Sequence, residues 1–110
     1  MATIIVDIDG TLLRSGTVPM RRTIDYINEQ AKTHRIVIVT GRPSTDRVRT
    51  TAALKRAGVR YNALRMAPPT ANTHGRRIEF KRQVGQELKS EVTLAIDNDA
   101  DAREIGRAHV

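Results

Sequence analysis

Thr3-Ile4-Ile5-Val6-Asp7-Ile8-Asp9-Gly10-Thr11 sets a β-branched run directly against two carboxylates and a glycine. Apolar residues without alternation from Thr3 to Ile8 read as a buried strand, and strands of this kind suit a parallel sheet covered on both faces. Two more such runs follow, Arg35-Ile36-Val37-Ile38-Val39 and Val92-Thr93-Leu94-Ala95-Ile96, with a weaker one over Asn62 to Met66. Between them lie helical patterns. Met20, Ile24, Ile27 and Ala31 form a stripe at i, i+4, i+7 and i+11 with Pro19 near its start. Thr45 to Ala57 reads as a helix closed by Gly58, and Phe80, Val84 and Leu88 mark a third. A last helix is expected from about Ala100 to His109, and Ala108-His109-Val110 resembles the start of a further strand. Strand and helix alternate, which predicts an α/β fold on a short parallel sheet. Ala67 to Gly75 is polar and proline-rich and reads as one long loop.

With 110 residues the chain has material for one core, so residues 1–110 are expected to form a single domain. It has no cysteine, which excludes disulfides, thiolate zinc sites and a cysteine nucleophile. Carboxylates are then the natural metal ligands. No apolar run is long enough for a membrane span, and the N-terminal run is too short for a signal peptide. A cytoplasmic location is the default that follows. The net charge of +7 is unevenly spread: Arg35 to Arg82 hold twelve basic and two acidic residues, against seven and ten elsewhere. A basic middle attracts polyanions, although an arginine-rich surface also serves simply to keep a small protein soluble. Only Tyr26, Tyr61 and Phe80 are available for base stacking, so contacts to nucleic acid would fall mainly on phosphates.

Three of the four expected strands end on groups that handle phosphate. They are Asp7-Ile8-Asp9-Gly10-Thr11, Thr40-Gly41-Arg42-Pro43 and Asp97-Asn98-Asp99. Parallel strands bring their C-termini to one rim of the sheet, so these groups should converge. Asp7 and Asp97 at the ends of apolar strands would be costly unless a cation neutralised them, and Mg²⁺ suits oxygen ligands. Asp7 and Asp9 leave the strand in different directions, so one can face phosphorus while the other faces the leaving oxygen. A carboxylate nucleophile forms an acyl phosphate, and a second carboxyl can protonate the leaving alkoxide and then activate water. Gly10 permits the turn. The Thr40 hydroxyl and a Gly41 N–H close to a helix start can hold a phosphate oxygen, and Lys81 adds a cation. Each group also has an ordinary role open to it: Asp9-Gly10 as a turn, Asp97-Asn98-Asp99 as a helix cap, Lys81 as a surface lysine.

The constellation resembles the haloacid dehalogenase superfamily of aspartyl-phosphate-forming phosphatases. Its first motif, D-x-D-G-T after a hydrophobic residue, is matched at Val6 to Thr11. Thr40, Lys81 and Asp97 stand where the second, third and fourth motifs place Thr or Ser, Lys and an acid. Within the superfamily the chain is similar to the 3′-phosphatase domain of phage polynucleotide kinase-phosphatases, through Thr40-Gly41-Arg42, Phe80-Lys81 and Leu94 to Asn98. The resemblance implies a three-layer Rossmann-like parallel sheet of four to five strands with helices on both faces. It implies Asp7 as nucleophile and Mg²⁺ ligand, Asp9 as acid/base giving its backbone carbonyl to the metal, and Asp97 completing the metal site. That group often has two adjacent acids in the fourth motif, so the support to metal waters is open between Asn98, Asp99 and Asp101.

His34, His74 and His109 show no ligand spacing and read as surface residues, and Ser15 and Ser44 lack triad partners. The glycines from Gly10 to Gly16 lack the Gly-Lys-Ser/Thr ending of a nucleotide-binding loop. The segments between Asp9 and Thr40 and between Thr40 and Lys81 leave no room for a cap domain, and capless members of the superfamily generally act on macromolecules or borrow a neighbouring subunit as lid. Three functions stay open on sequence. One is removal of a 3′-phosphate from a nucleic-acid end, with Arg42, Arg47 and Arg49 on the polynucleotide backbone. The others are hydrolysis of small phosphate esters or phosphoproteins, and a catalytically silent nucleic-acid-binding module. The oligomeric state is not legible.

Overall fold

The computed structural model describes residues 2–97. The expected helix from Ala100 and the groups Asn98, Asp99 and Asp101 lie outside them. Strands β1 (Thr3–Val6), β4 (Arg35–Pro43), β5 (Ala63–Ala67) and β6 (Val92–Ile96) form one parallel sheet in the order β5-β4-β1-β6. The α/β class and the four strands are those expected. The order follows from burial, since the most apolar strands, β1 and β4, take the centre.

Alternation along the strands sorts the core into two layers. Ile4, Val6, Ile36 and Ile38 face helix α1 (Arg21–Gln30) through Ile24 and Ile27, and helix α2 (Arg47–Ala57) through Ala53, Leu54 and Ala57. Ile5, Val37, Val39, Val92 and Ala95 face helix α3 (His74–Glu87) through Val84, with Phe80 and Leu88 partly buried beside it. The result is three layers with helices on both faces. Gly58 closes α2 in the left-handed conformation at φ 73°, donating to the carbonyls of Leu54 and Lys55, where glycine carries no Cβ penalty.

Three local expectations are corrected. Strand β4 runs beyond Val39 to Pro43, which pairs with Ala67 after an irregularity in register, and a 3₁₀ turn at Ser44–Asp46 precedes α2. Gly41 therefore lies in an extended strand and not at a helix start. The long loop ends at Thr73, because the Thr73 hydroxyl accepts from the Arg76 N–H at 3.2 Å and caps α3, so His74 and Gly75 are helical. Between Asp9 and α1 the chain forms a small hairpin, β2 (Leu13–Arg14) against β3 (Val18–Pro19), which places Pro19 in a strand just before the helix. Leu12 and Leu13 are fully buried and anchor this hairpin in the α1/α2 layer.

Candidate active site

Because β4, β1 and β6 are parallel neighbours in the sheet, their C-terminal ends open on one rim. A cleft of about 330 Å³ lies there, lined by Asp7, Asp9, Gly41, Arg42, Pro43, His74, Arg77, Ile78 and Lys81. Asp7 directly follows β1, and its N–H donates to the Ile96 carbonyl at 2.9 Å, which ties the end of β1 to the end of β6. Gly10, at φ 78°, turns the chain back so that its N–H meets the Leu13 carbonyl at 2.8 Å.

Two charge clusters organise the floor. In the first, Lys81 Nζ donates to Asp7 Oδ1 at 3.1 Å and to Asp97 Oδ2 at 3.0 Å, and all three residues are buried. Burial pushes the Asp7 carboxyl up from 3.8 to about 6, against the pull of the Lys81 ammonium, while the neighbouring Asp97 charge adds to the rise. Burial lowers Lys81, yet the two carboxylates outweigh it and hold the lysine above its ordinary value. In the second cluster, Arg42 makes a two-pronged pair with Asp9, Nε to Oδ2 at 3.0 Å and Nη2 to Oδ1 at 2.8 Å. The same guanidinium donates to the Gly16 carbonyl at 3.0 Å, at the tip of the β2–β3 hairpin. Asp9 is thus fixed between strand β4 and the hairpin.

Thr40 is fully buried, and its hydroxyl accepts from the Arg42 N–H at 3.1 Å. Thr40 and Asp97 do not line the cleft, although Asp97 meets it through Lys81. Arg47 and Arg49 are exposed on α2 and lie outside the lining, with Arg47 reaching the Leu64 carbonyl at 3.4 Å.

The model of the haloacid dehalogenase-like hydrolases matches residues 4–96. This chain belongs to that family. The haloacid dehalogenase-like fold is shared with chains in two solved structures. One is of the Pnkp1/Rnl/Hen1 RNA repair complex, with a TM-score of 0.84 and 15% identity over 99% of this chain and 41% of the other. The second, of a Pnkp1/Rnl/Hen1 complex, has a TM-score of 0.78 and 17% identity over 99% of this chain and 45% of the other. This haloacid dehalogenase-like chain spans less than half the length of those chains. No curated protein sequence matches it.

Sequence reading missed His74, Arg77 and Ile78 as lining residues. The signal was present: counted back from Lys81, positions 78, 77 and 74 fall on the same helical face. It was masked because Ala67 to Gly75 reads as loop on composition and the apolar stripe marks the helix only from Phe80. Among the described residues no three His, Cys, Asp or Glu side chains form a metal cage. The oxygen donors are instead two buried carboxylates, Asp7 and Asp97, sharing one lysine. Their charge exceeds what Lys81 balances, and the Asp9 backbone lies two residues from Asp7. Such a donor set fits Mg²⁺, which takes one or two carboxylates and keeps its waters. No helix among the described residues is long and apolar enough to cross a membrane.

Proposed function

We propose that this chain is a Mg²⁺-dependent phosphomonoester hydrolase that works through an aspartyl-phosphate on Asp7 and removes 3′-phosphates from nucleic-acid ends. The observation that carries the reading is the juxtaposition, in one cleft, of a buried carboxylate bonded to a lysine with a second carboxylate held apart by an arginine. Two carboxylates in different settings suit two roles.

Asp7 attacks phosphorus, the ester P–O bond breaks, and Asp9 gives its proton to the leaving oxygen. Asp9 then takes a proton from water, whose oxygen attacks the acyl phosphate to release inorganic phosphate and restore Asp7. Lys81 keeps Asp7 and Asp97 side by side and supplies positive charge beside the transferring group. Arg42 sets the direction of the Asp9 carboxylate. Gly41, on the cleft wall, holds a phosphate oxygen, and the Thr40 hydroxyl, buried beneath the cleft, fixes the backbone there by accepting from the Arg42 N–H. Asp7, Asp97 and the Asp9 carbonyl would hold Mg²⁺, which when bound offsets the charge of the phosphate and of the two acids.

The nucleic-acid end is supported by the basic stretch from Arg35 to Arg82 and by a cleft that no cap covers among the described residues. It is also supported by the fold shared with chains of an RNA repair complex. A silent binding module would leave the buried Asp7–Lys81–Asp97 cluster without use, and buried charge is destabilising unless something is gained from it. The test is a phosphate-release panel with Mg²⁺ or with EDTA on 3′- and 5′-phosphorylated oligonucleotides, a 3′-mononucleotide and an aryl phosphate. Mg²⁺-dependent release, fastest from the 3′-phosphorylated oligonucleotide, is expected. No release from any substrate overturns the hydrolase mechanism, and equal rates at 3′ and 5′ ends overturn the end preference.

A further inference from the structure

The charges that line the cleft are matched in pairs, Asp7 with Lys81 and Asp9 with Arg42. Arg77 breaks the pattern. It lines the same cleft, one helical turn from Lys81, and among the described residues its guanidinium has no hydrogen-bond or ion-pair partner. Its neighbour Arg76, by contrast, bonds back to Asn72 and to the Thr70 carbonyl.

The stem of Arg77 is held even though its head is uncommitted. It lies on the backbone of Gly41 so closely that a Cβ at that position would stand 3.1 Å from Arg77 Cδ and 3.2 Å from its Cβ. Gly41 thus has a second use, since the missing Cβ lets Arg77 lie across the wall of the cleft beside Arg42 and Pro43. Arg77 as a whole is exposed, so the seat fixes the stem while the guanidinium stays open to a ligand. The planar guanidinium, with its fork of N–H donors, suits the oxygens of a phosphate better than a point charge does.

We propose that Arg77 is a specificity-determining residue that receives the phosphodiester next to the phosphate being removed. A second anion in the substrate is what a cation on the cleft wall, with no side-chain partner of its own among the described residues, can recognise. The inference rests on the nucleic-acid reading above and deepens it. Arg77 would distinguish a polynucleotide end from a mononucleotide through one linkage, independently of the more distant basic surface.

The experiment separates the two ideas. Binding is measured with Mg²⁺ on an Asp7→Asn protein, which cannot turn over. The probes are a 3′-phosphorylated dinucleotide with its native linkage and the same molecule with an uncharged methylphosphonate linkage. The native linkage should bind about tenfold more tightly, in line with a hydrogen bond between charged groups. Arg77→Gln in that background should remove this difference by weakening the native probe alone, and Arg77→Lys should restore part of it. In the active protein, Arg77→Gln should lower kcat/KM for the native dinucleotide about tenfold more than for an aryl phosphate, with the loss in KM. Equal affinity for the two linkages in the Asp7→Asn protein overturns the proposal. So does an Arg77→Gln variant that weakens both probes alike, because the arginine would then serve the transferring phosphate or the packing on Gly41. Lack of turnover on every ester would remove the hydrolase reading, while the binding comparison would still decide the role of Arg77.

Discussion

Asp7→Asn separates the chemistry of this carboxylate from the cost of burying it. Asp7 is only 5% exposed, and burial raises its pKa from 3.8 to about 6 even with Lys81 at 3.1 Å. Below pH 3.8 the group is protonated in both the folded and the unfolded chain, and nothing is lost. Between 3.8 and about 6 the unfolded chain releases its proton first, so stability falls as pH rises, and above about 6 the whole penalty is present. At about 1.36 kcal/mol per pH unit the ionised Asp7 destabilises the metal-free protein by roughly 3 kcal/mol at most. Asparagine resembles the neutral acid. The variant should therefore melt several degrees higher than the parent in EDTA at pH 7.5, with the gap closing towards pH 3.5, since about 1 kcal/mol moves Tm by roughly 4–8 °C in a domain near this size. Mg²⁺ should stabilise the parent by about 2.7 kcal/mol at a hundred times its Kd, raising its Tm, and act much less on the variant. Turnover should be lost in the variant under both conditions. Calorimetry with and without EDTA provides the check. A variant less stable than the parent in EDTA at pH 7.5 would mean that the Lys81 pair outweighs burial, and the account of this site as a strained anion centre would be wrong.

Arg42→Gln removes both bonds to Asp9 and the tie to the Gly16 carbonyl, so kcat should fall by up to about 10²-fold through misplacement of the acid. The loss should be smaller for a 4-nitrophenyl ester, whose leaving group needs no proton, than for an alkyl phosphate, and equal losses would exclude a positioning role. Reversing charge at Arg47 and Arg49, which lie on α2 outside the cleft, should flatten the salt dependence of oligonucleotide KM. Two lost phosphate contacts on a single strand correspond to a change of about 1.4 in the log–log slope. An unchanged slope would make that helix face a solvated surface only.

Period and residue type alone located all four sheet strands and the three helices of the described residues, the third without its start, because non-alternating Ile/Val runs and the Ile24/Ile27 stripe have few other ways to be buried. They also singled out Asp7 and Asp9, which a parallel sheet brings to one rim whatever its exact register, and Lys81, which helix α3 carries to the same cleft. The sequence could not say that Arg42 would turn onto Asp9, since that pairing spans thirty-three residues and depends on β4 continuing to Pro43. Composition also misplaced the start of α3: the Thr73 cap is a single hydrogen bond, invisible in a stretch rich in proline and polar residues. Once that cap is set, the helical phase carries His74, Arg77 and Lys81 to the same wall of the cleft. The seat of Arg77 on Gly41 is tertiary in origin, because it joins a strand to a helix thirty-six residues away and is selected by the space that a missing Cβ leaves.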